Sequence, residues 1–406
     1  MKIYISGISG TGMGPLALMA KAAGITVYGS DLNKGAIYPE LMKAGIEVKI
    51  GEQDGKFLRE KLTDGVEWFV YTSALPEDHA ELLMAKEAGV KITKRDELTA
   101  FLVEKLGLKM VAVAGTHGKT TTTAMIVWAS LKLGLPVSYI VGTTLGFAKS
   151  GSYREGDKYF VYEADEYDRN FLKFHPWLSV ITSVSYDHPD IYAARGDYEE
   201  AFRQFEIQSE KVIEKCDFDD FKLAGEVRRK DAGLASMAVC EMAPEAGLSK
   251  IVAVMNEFPG VGRRFERLAE GVYTDYAHHP EEIATTIDVA RDEAKMRGLK
   301  RVVVVYQPHQ NTRQHEVRDG YRDAFIHADK VYWLPTYLTR EDPKLEILKP
   351  EDLISGLANR EVAEAVKLDN ELFDKVVRHR DDGDLVVLMT AGPADGWLRE
   401  KILKSL

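Results

Sequence analysis

Three observations predict an α/β fold in three domains. Short apolar strands alternate with helix-patterned segments along the chain, the rhythm of parallel sheets with crossover helices. Two strand-to-helix turns are rich in glycine, at residues 7–14 (GISGTGMG) and 115–118 (GTHG). A linker at 258–262 (FPGVG), carrying a proline and two glycines, precedes a last stretch with its own βα rhythm. Domains are therefore expected at 1–107, 108–262 and 263–406.

The elements follow in order. Residues 2–6 (KIYIS) read as a strand, followed by the first glycine turn, an apolar helix at 15–23 and a strand at 25–29 that runs into Ser30 and Asp31. This is a βαβ opening with an acid at its second strand end. Further strands are expected at 46–50, at 68–72 (ending at Ser73) and at 90–92. The strand 110–114 feeds the second glycine turn, and Met125, Ile126, Ala129 and Leu131 give residues 121–133 helical spacing. Strands at 137–141, 158–162 and 177–184 complete the middle domain, with helices at 198–214 and 223–239. The last domain reads as strand 272–275, helix 280–297 and strands at 301–306, 330–333 and 385–389.

Composition narrows the function. The 406 residues hold 53 Lys and Arg against 64 Asp and Glu, a net charge of −11. Such a balance argues against nucleic-acid or membrane-surface partners, which need a basic face. Cys216 and Cys240 are too few for a disulfide framework and lack metal-site spacing. No apolar run is long enough to cross a bilayer, and the N-terminus reads as strand and turn rather than a signal peptide. A cytoplasmic protein is expected, monomeric or homodimeric.

The chemistry gathers at strand ends. Around Gly115 and Gly118, backbone N–H groups can turn toward an anion, and the following helix adds its N-terminal partial charge. Lys119 can reach the outer phosphates and the Thr120 hydroxyl can coordinate Mg²⁺, although the GxxGKT spacing is shorter than usual. A nucleoside triphosphate site is expected. Glu163 follows an apolar strand and can hold Mg²⁺ opposite Thr120. Asp165, Glu166 and Asp168 read as a mixture of substrate-facing and solvated acids. His188, beside Asp187 and close to Asp190, reads as a second metal ligand, an orienter or a phosphate contact. In the last domain Asp275 could accept hydrogen bonds from a ribose. One of His278 and His279 could meet a phosphate, or the pair could cap a helix, and Arg263 and Arg264 could clamp anions. The first turn, GxxGxGxG, departs from the dinucleotide fingerprint, which disfavours a nicotinamide cofactor.

Taken in order, GISGTGMG with GSDL, TSAL at Ser73, AGTHGKTTTT, EADEYD, DHPDIY, GVGRRFE, DYAHHP, QPHQNTR and TAG at Gly392 span the chain. With this ordered set the chain resembles the Mur ligase family, most of all its alanine-adding branch. The resemblance implies a Rossmann-like first domain that binds a UDP-sugar through Gly10, Thr11, Gly12, Met13, Asp31 and Ser73. It implies a central P-loop ATPase domain, with Gly115, Thr116, His117, Gly118, Lys119, Thr120 and Thr121 on ATP, joined by Arg263 and Asp275 of a Rossmann-like C-terminal domain. ATP and Mg²⁺ are the implied cofactors, with Thr120, Glu163 and His188 on the metal. Lys119, Glu163, His188 and His278 are the implied catalytic residues. The implied reaction belongs to peptidoglycan precursor synthesis. ATP phosphorylates the carboxylate of UDP-N-acetylmuramate, L-alanine attacks the acyl phosphate, and the tetrahedral intermediate collapses to an amide. The alternatives are a recycling ligase that adds a preformed peptide and a catalytically impaired nucleotide-binding homologue. Two features depart from the family pattern: a shortened stretch between Tyr198 and Val261, and GEVRRKDA at 225–232 in place of GxHNxxNA.

Overall fold

The first glycine turn sits where a parallel sheet changes direction. Strands β1 (Lys2–Ser6), β2 (Thr26–Asp31), β3 (Glu47–Ile50), β4 (Trp68–Tyr71) and β5 (Lys91–Lys94) pair in the order β3-β2-β1-β4-β5, all parallel. The chain leaves β1 toward β2 on one side and later returns to β4 on the other. Such a switch opens a crevice at the carboxyl ends of the strands. This computed structural model describes residues 1–72, 75–188, 191–339 and 341–405. Ser73, assigned by resemblance to the UDP-sugar, lies outside the described residues, as do Pro189 and Asp190.

The second sheet repeats the device. Its strands are β6 (Lys109–Ala114), β7 (Val137–Ile140), β8 (Gly151–Ser152), β9 (Tyr159–Glu163), β10 (Leu178–Ile181) and β11 (Val212–Ile213). They pair as β11-β10-β6-β9-β7-β8, with only the β7–β8 pair antiparallel. The strand that feeds the second glycine turn, β6, stands between β10 and β9, so both neighbours deliver their carboxyl ends beside that turn. One apolar cluster runs through both sheets, from Ile3, Leu16 and Leu98 to Phe160, Phe171 and Phe202.

The third sheet holds β12 (Glu266–Ala269), β13 (Val272–Asp275), β14 (Val302–Gln307), β15 (Lys330–Trp333), β16 (Ala363–Ala365) and β17 (Leu385–Thr390). Its order is β12-β13-β17-β14-β15-β16, and only β12 runs antiparallel to its neighbour. Every residue of β14 and β17 is buried, as parallel strands covered on both faces require. The chain divides into two compact units, residues 1–221 with 230–259 and residues 222–229 with 260–406. The expected boundary at 107 falls inside the first unit, between the helix Arg95–Lys105 and β6.

Several element ends differ from the sequence reading. The helix expected at 198–214 runs over Arg195–Ile207, because the tail turns back to pair Val212 with Ser179 as β11. The helix expected at 223–239 is Glu226–Met242. Its start is held back by Gly225, at φ +83°, whose N–H donates to Asp292. The apolar helix expected at 15–23 starts earlier, at Met13. A further helix, Leu248–Asn256, and the short strands β8, β11, β12 and β16 had no counterpart in that reading.

Candidate active site

The second glycine turn takes a shape open only to glycine. Gly115 stands at φ +141° and Gly118 at φ +84°. A Cβ on Gly115 would lie 2.1 Å from the Thr182 hydroxyl, and one on Gly118 would lie 2.6 Å from Asp231 Oδ1. The turn is tied to the segment after β10. The His117 N–H donates to Ser183 Oγ (3.0 Å), the Thr182 hydroxyl donates to the His117 carbonyl, and the Thr116 hydroxyl donates to the Ser185 carbonyl (2.8 Å). The helix Lys119–Lys132 then begins with no side-chain cap, leaving its first N–H groups for a ligand, and half-buried Thr121 lies in its first turn.

The acids of 163–168 part company. Glu163, at the end of β9, accepts from the Thr120 hydroxyl (3.0 Å) and from the Gly142 N–H (2.9 Å). Glu166 is only 1% exposed, so it is not the solvated acid that the sequence allowed. Both of its oxygens accept from Lys119 Nζ, at 3.0 and 2.8 Å. His188 Nε2 stands 3.7 Å from Glu166 and equally far from Asp187. Burial opposes the charge on Glu166, but His188 and Lys119 outweigh it and hold the carboxyl below the usual range. The partnership with Glu166 raises the His188 pKa against the opposing effect of burial. Asp165 goes the other way, pushed up by burial and by the charge of Glu166. Asp168 pairs with Lys94 at the surface.

A cavity of about 450 Å³ opens at the switch point of the first sheet. Gly10, Thr11, Gly12 and Met13 line one side, with Asp31 at the end of β2, and Asp165 and Tyr167 come from the segment after β9. Asp31 Oδ2 accepts from the Ser9 N–H at 2.8 Å, so the acid itself shapes the turn. Beneath it Glu81, also 1% exposed, accepts from Tyr4, Ser6, Ser30 and Gln53.

The second unit carries its own polar strand end. Asp275 is buried, and its oxygens accept from the N–H groups of Phe265 and Ala277, both at 2.7 Å. Burial raises its pKa. His278 Nδ1 lies 3.1 Å from the Tyr276 carbonyl and 3.3 Å from Glu282, and burial lowers its pKa. Arg263, at φ +57°, donates to the Thr390 carbonyl (2.6 Å) and stands 3.7 Å from Asp395. The guanidinium expected to clamp an anion is thus turned onto its own unit.

The residues suit a nucleoside triphosphate with Mg²⁺. The uncapped start of the helix Lys119–Lys132 leaves its first backbone N–H groups for phosphate, and Thr120 with Glu163 supplies the hard oxygen donors that Mg²⁺ prefers. Among the described residues no group of three or more His, Cys, Asp or Glu could hold a metal ion by itself. A Mg²⁺ ion that keeps water and phosphate oxygens does not need one. His188 finds its carboxylates in Glu166 and Asp187 rather than in Glu163. The residue underweighted by sequence reasoning is Glu166. Its signal was an acid three positions beyond a strand-end glutamate, beside a loop lysine.

Comparisons with known proteins give the family. Residues 2–105 match the Mur ligase family catalytic domain, 113–231 the Mur ligase middle domain, and 263–392 the Mur ligase glutamate ligase domain. A UDP-N-acetylmuramate–L-alanine ligase of Symbiobacterium thermophilum is 31% identical, over 98% of this chain and 92% of that protein. One from Salinispora arenicola is 30% identical, over 100% of this chain and 88% of its own. The crystal structure of UDP-N-acetylmuramate-alanine ligase from Thermotoga maritima superposes with a TM-score of 0.74 at 22% identity, covering 100% of this chain and 99% of that one, a likeness of fold. No helix among the described residues is long and apolar enough to cross a membrane.

Proposed function

This chain belongs to the Mur ligase family, and on that premise we propose that it joins L-alanine to UDP-N-acetylmuramate through an acyl phosphate, using ATP. The observation that carries the reading is the pairing, within one unit, of a glycine cradle bearing Lys119 and Thr120 with the cavity at the first glycine turn. Such a pairing suits the transfer of a phosphoryl group onto an acid held next door.

In this reading the cavity binds the sugar nucleotide through the backbone of Gly10–Met13, in a turn shaped by Asp31. Lys119 and the first N–H groups of its helix bind the phosphoryl group that passes to the muramyl carboxylate. That step makes one P–O bond to the carboxylate and breaks the bond to the ADP oxygen. The alanine nitrogen then attacks the acyl carbon, loses a proton, and phosphate departs as the amide forms. Mg²⁺, when bound by Thr120 and Glu163, supplies charge neutralisation on the phosphate oxygens. Glu163 also holds the Thr120 hydroxyl in place. The compartment that goes with this reading is the cytoplasm.

The test is phosphate release from ATP with Mg²⁺ and UDP-N-acetylmuramate, adding one amine at a time. Release that requires both the sugar acid and L-alanine supports the reading. Release with a preformed peptide but not with alanine assigns a recycling role. Binding of ATP without release under any pairing makes the chain a nucleotide-binding homologue.

A further inference from the structure

Lys119, the cation expected to meet the transferring phosphate, is already paired. Its Nζ reaches both oxygens of Glu166, and it also donates to the Gly115 carbonyl. Glu166 is fixed on all sides. The Tyr192 hydroxyl donates to its carbonyl at 2.6 Å, the Tyr198 hydroxyl lies 3.5 Å from Oε1, and His188 Nε2 lies 3.7 Å from the same oxygen. Tyr198 in turn exchanges a hydrogen bond with Thr116 of the glycine turn at 2.8 Å. His188 holds its place at φ +58°, a conformation rare for histidine, with its ring edge-to-face on Tyr167 at 5.0 Å.

A buried carboxylate beside a polyanion site is a liability for ground-state binding. It repels phosphate and occupies the lysine that phosphate would use. An arrangement that weakens ground-state binding can still raise turnover, if it fixes groups whose interactions grow stronger in the transition state. We propose that Glu166 is a positioning residue, the shared counter-ion that aims Lys119 and His188 at the transferring phosphoryl group at some loss of nucleotide affinity. This rests on the phosphoryl-transfer reading above.

Two signs distinguish such a role from mere structural support. Glu166→Gln keeps the shape and one acceptor for Lys119 while removing the charge. It should lower kcat by about 10- to 100-fold through lost aim. In the same variant the Kd for ATP with Mg²⁺, measured without acid or amine, should fall by about threefold as repulsion and competition are relieved. Wild-type kcat in the folded variant overturns the proposal, as does nucleotide affinity that is unchanged or weakened. A melting curve checks folding. If the glutamine variant does not fold, Glu166→Asp, which keeps the charge but withdraws it from Lys119, should show the same kcat loss with a smaller affinity gain. Unaltered kcat there is equally fatal. Should the wild-type chain release no phosphate with any acid and amine, the ligase reading falls, while the affinity arm still decides on Glu166.

Discussion

Two glutamates in the first unit are buried to the same 1% exposure, and their surroundings differ in kind. Glu81, under the first glycine turn, is met by the hydroxyls of Tyr4, Ser6 and Ser30 and by the Gln53 amide. Glu166, beside the second turn, is met by Lys119 and His188. Neutral donors gathered around one carboxylate, with Gln53 also donating to the Ser6 and Ser30 hydroxyls, make a fixed support. Burial and the charge of Glu81 push the Tyr4 phenol far up, so its hydroxyl stays a donor at every working pH. Cations shared with a carboxylate can be drawn toward an arriving anion. The same strand–turn–helix unit is thus built once on a rigid support and once on a responsive one.

The contrast can be broken in four places. Lys119→Ala should lower ATP-dependent phosphate release by about 10³-fold, about 4 kcal/mol, with sugar-acid binding nearly unchanged. Equal loss of sugar-acid binding, measured by calorimetry, would erase the division of labour. Glu81→Ala should instead act on stability, because it strands buried hydroxyls. About 3 kcal/mol is expected from denaturant melts, with little change in kcat once the protein is folded. Asp31→Ala, which frees the Ser9 N–H, should raise KM for the sugar acid about tenfold, about 1.4 kcal/mol, and spare kcat. A fall in kcat instead would tie the first turn to the chemistry.

The smallest effect is a pH dependence. The His188 pKa is raised in the fold, so the folded chain holds that proton more tightly than the unfolded one. Its stabilisation is complete below the ordinary histidine range and is lost as pH rises through the raised folded value. Melting temperatures followed upward through neutrality should therefore decline, and His188→Gln should flatten that slope. Glu166 works from the other side, since its lowered pKa makes its contribution fade in acid.

Local signals carried much of this into view. The glycine turns, the buried strands feeding them and the strand-end Glu163 were legible because each depends on a few neighbouring residues. The edge strands were not. Gly151–Ser152 and Ala363–Ala365 have no apolar pattern and exist because a neighbour offers its edge. The fate of each charge was equally hidden. Glu166 and Asp168 sit two positions apart in one acidic run, yet one is sealed against Lys119 and the other faces solvent, a difference made by packing from Tyr192 and Tyr198. Arg263 reads as an anion clamp until Thr390 and Asp395, far along the chain, come to meet it.

The apolar cluster that runs from Leu98 and Leu102 to Phe171 and Phe205 makes the first two sheets one cooperative folding block. Amide protons behind either glycine turn should then exchange through the same global opening rather than by separate local ones. Substitutions deep in that seam would reach both turns together, however far they lie from any ligand.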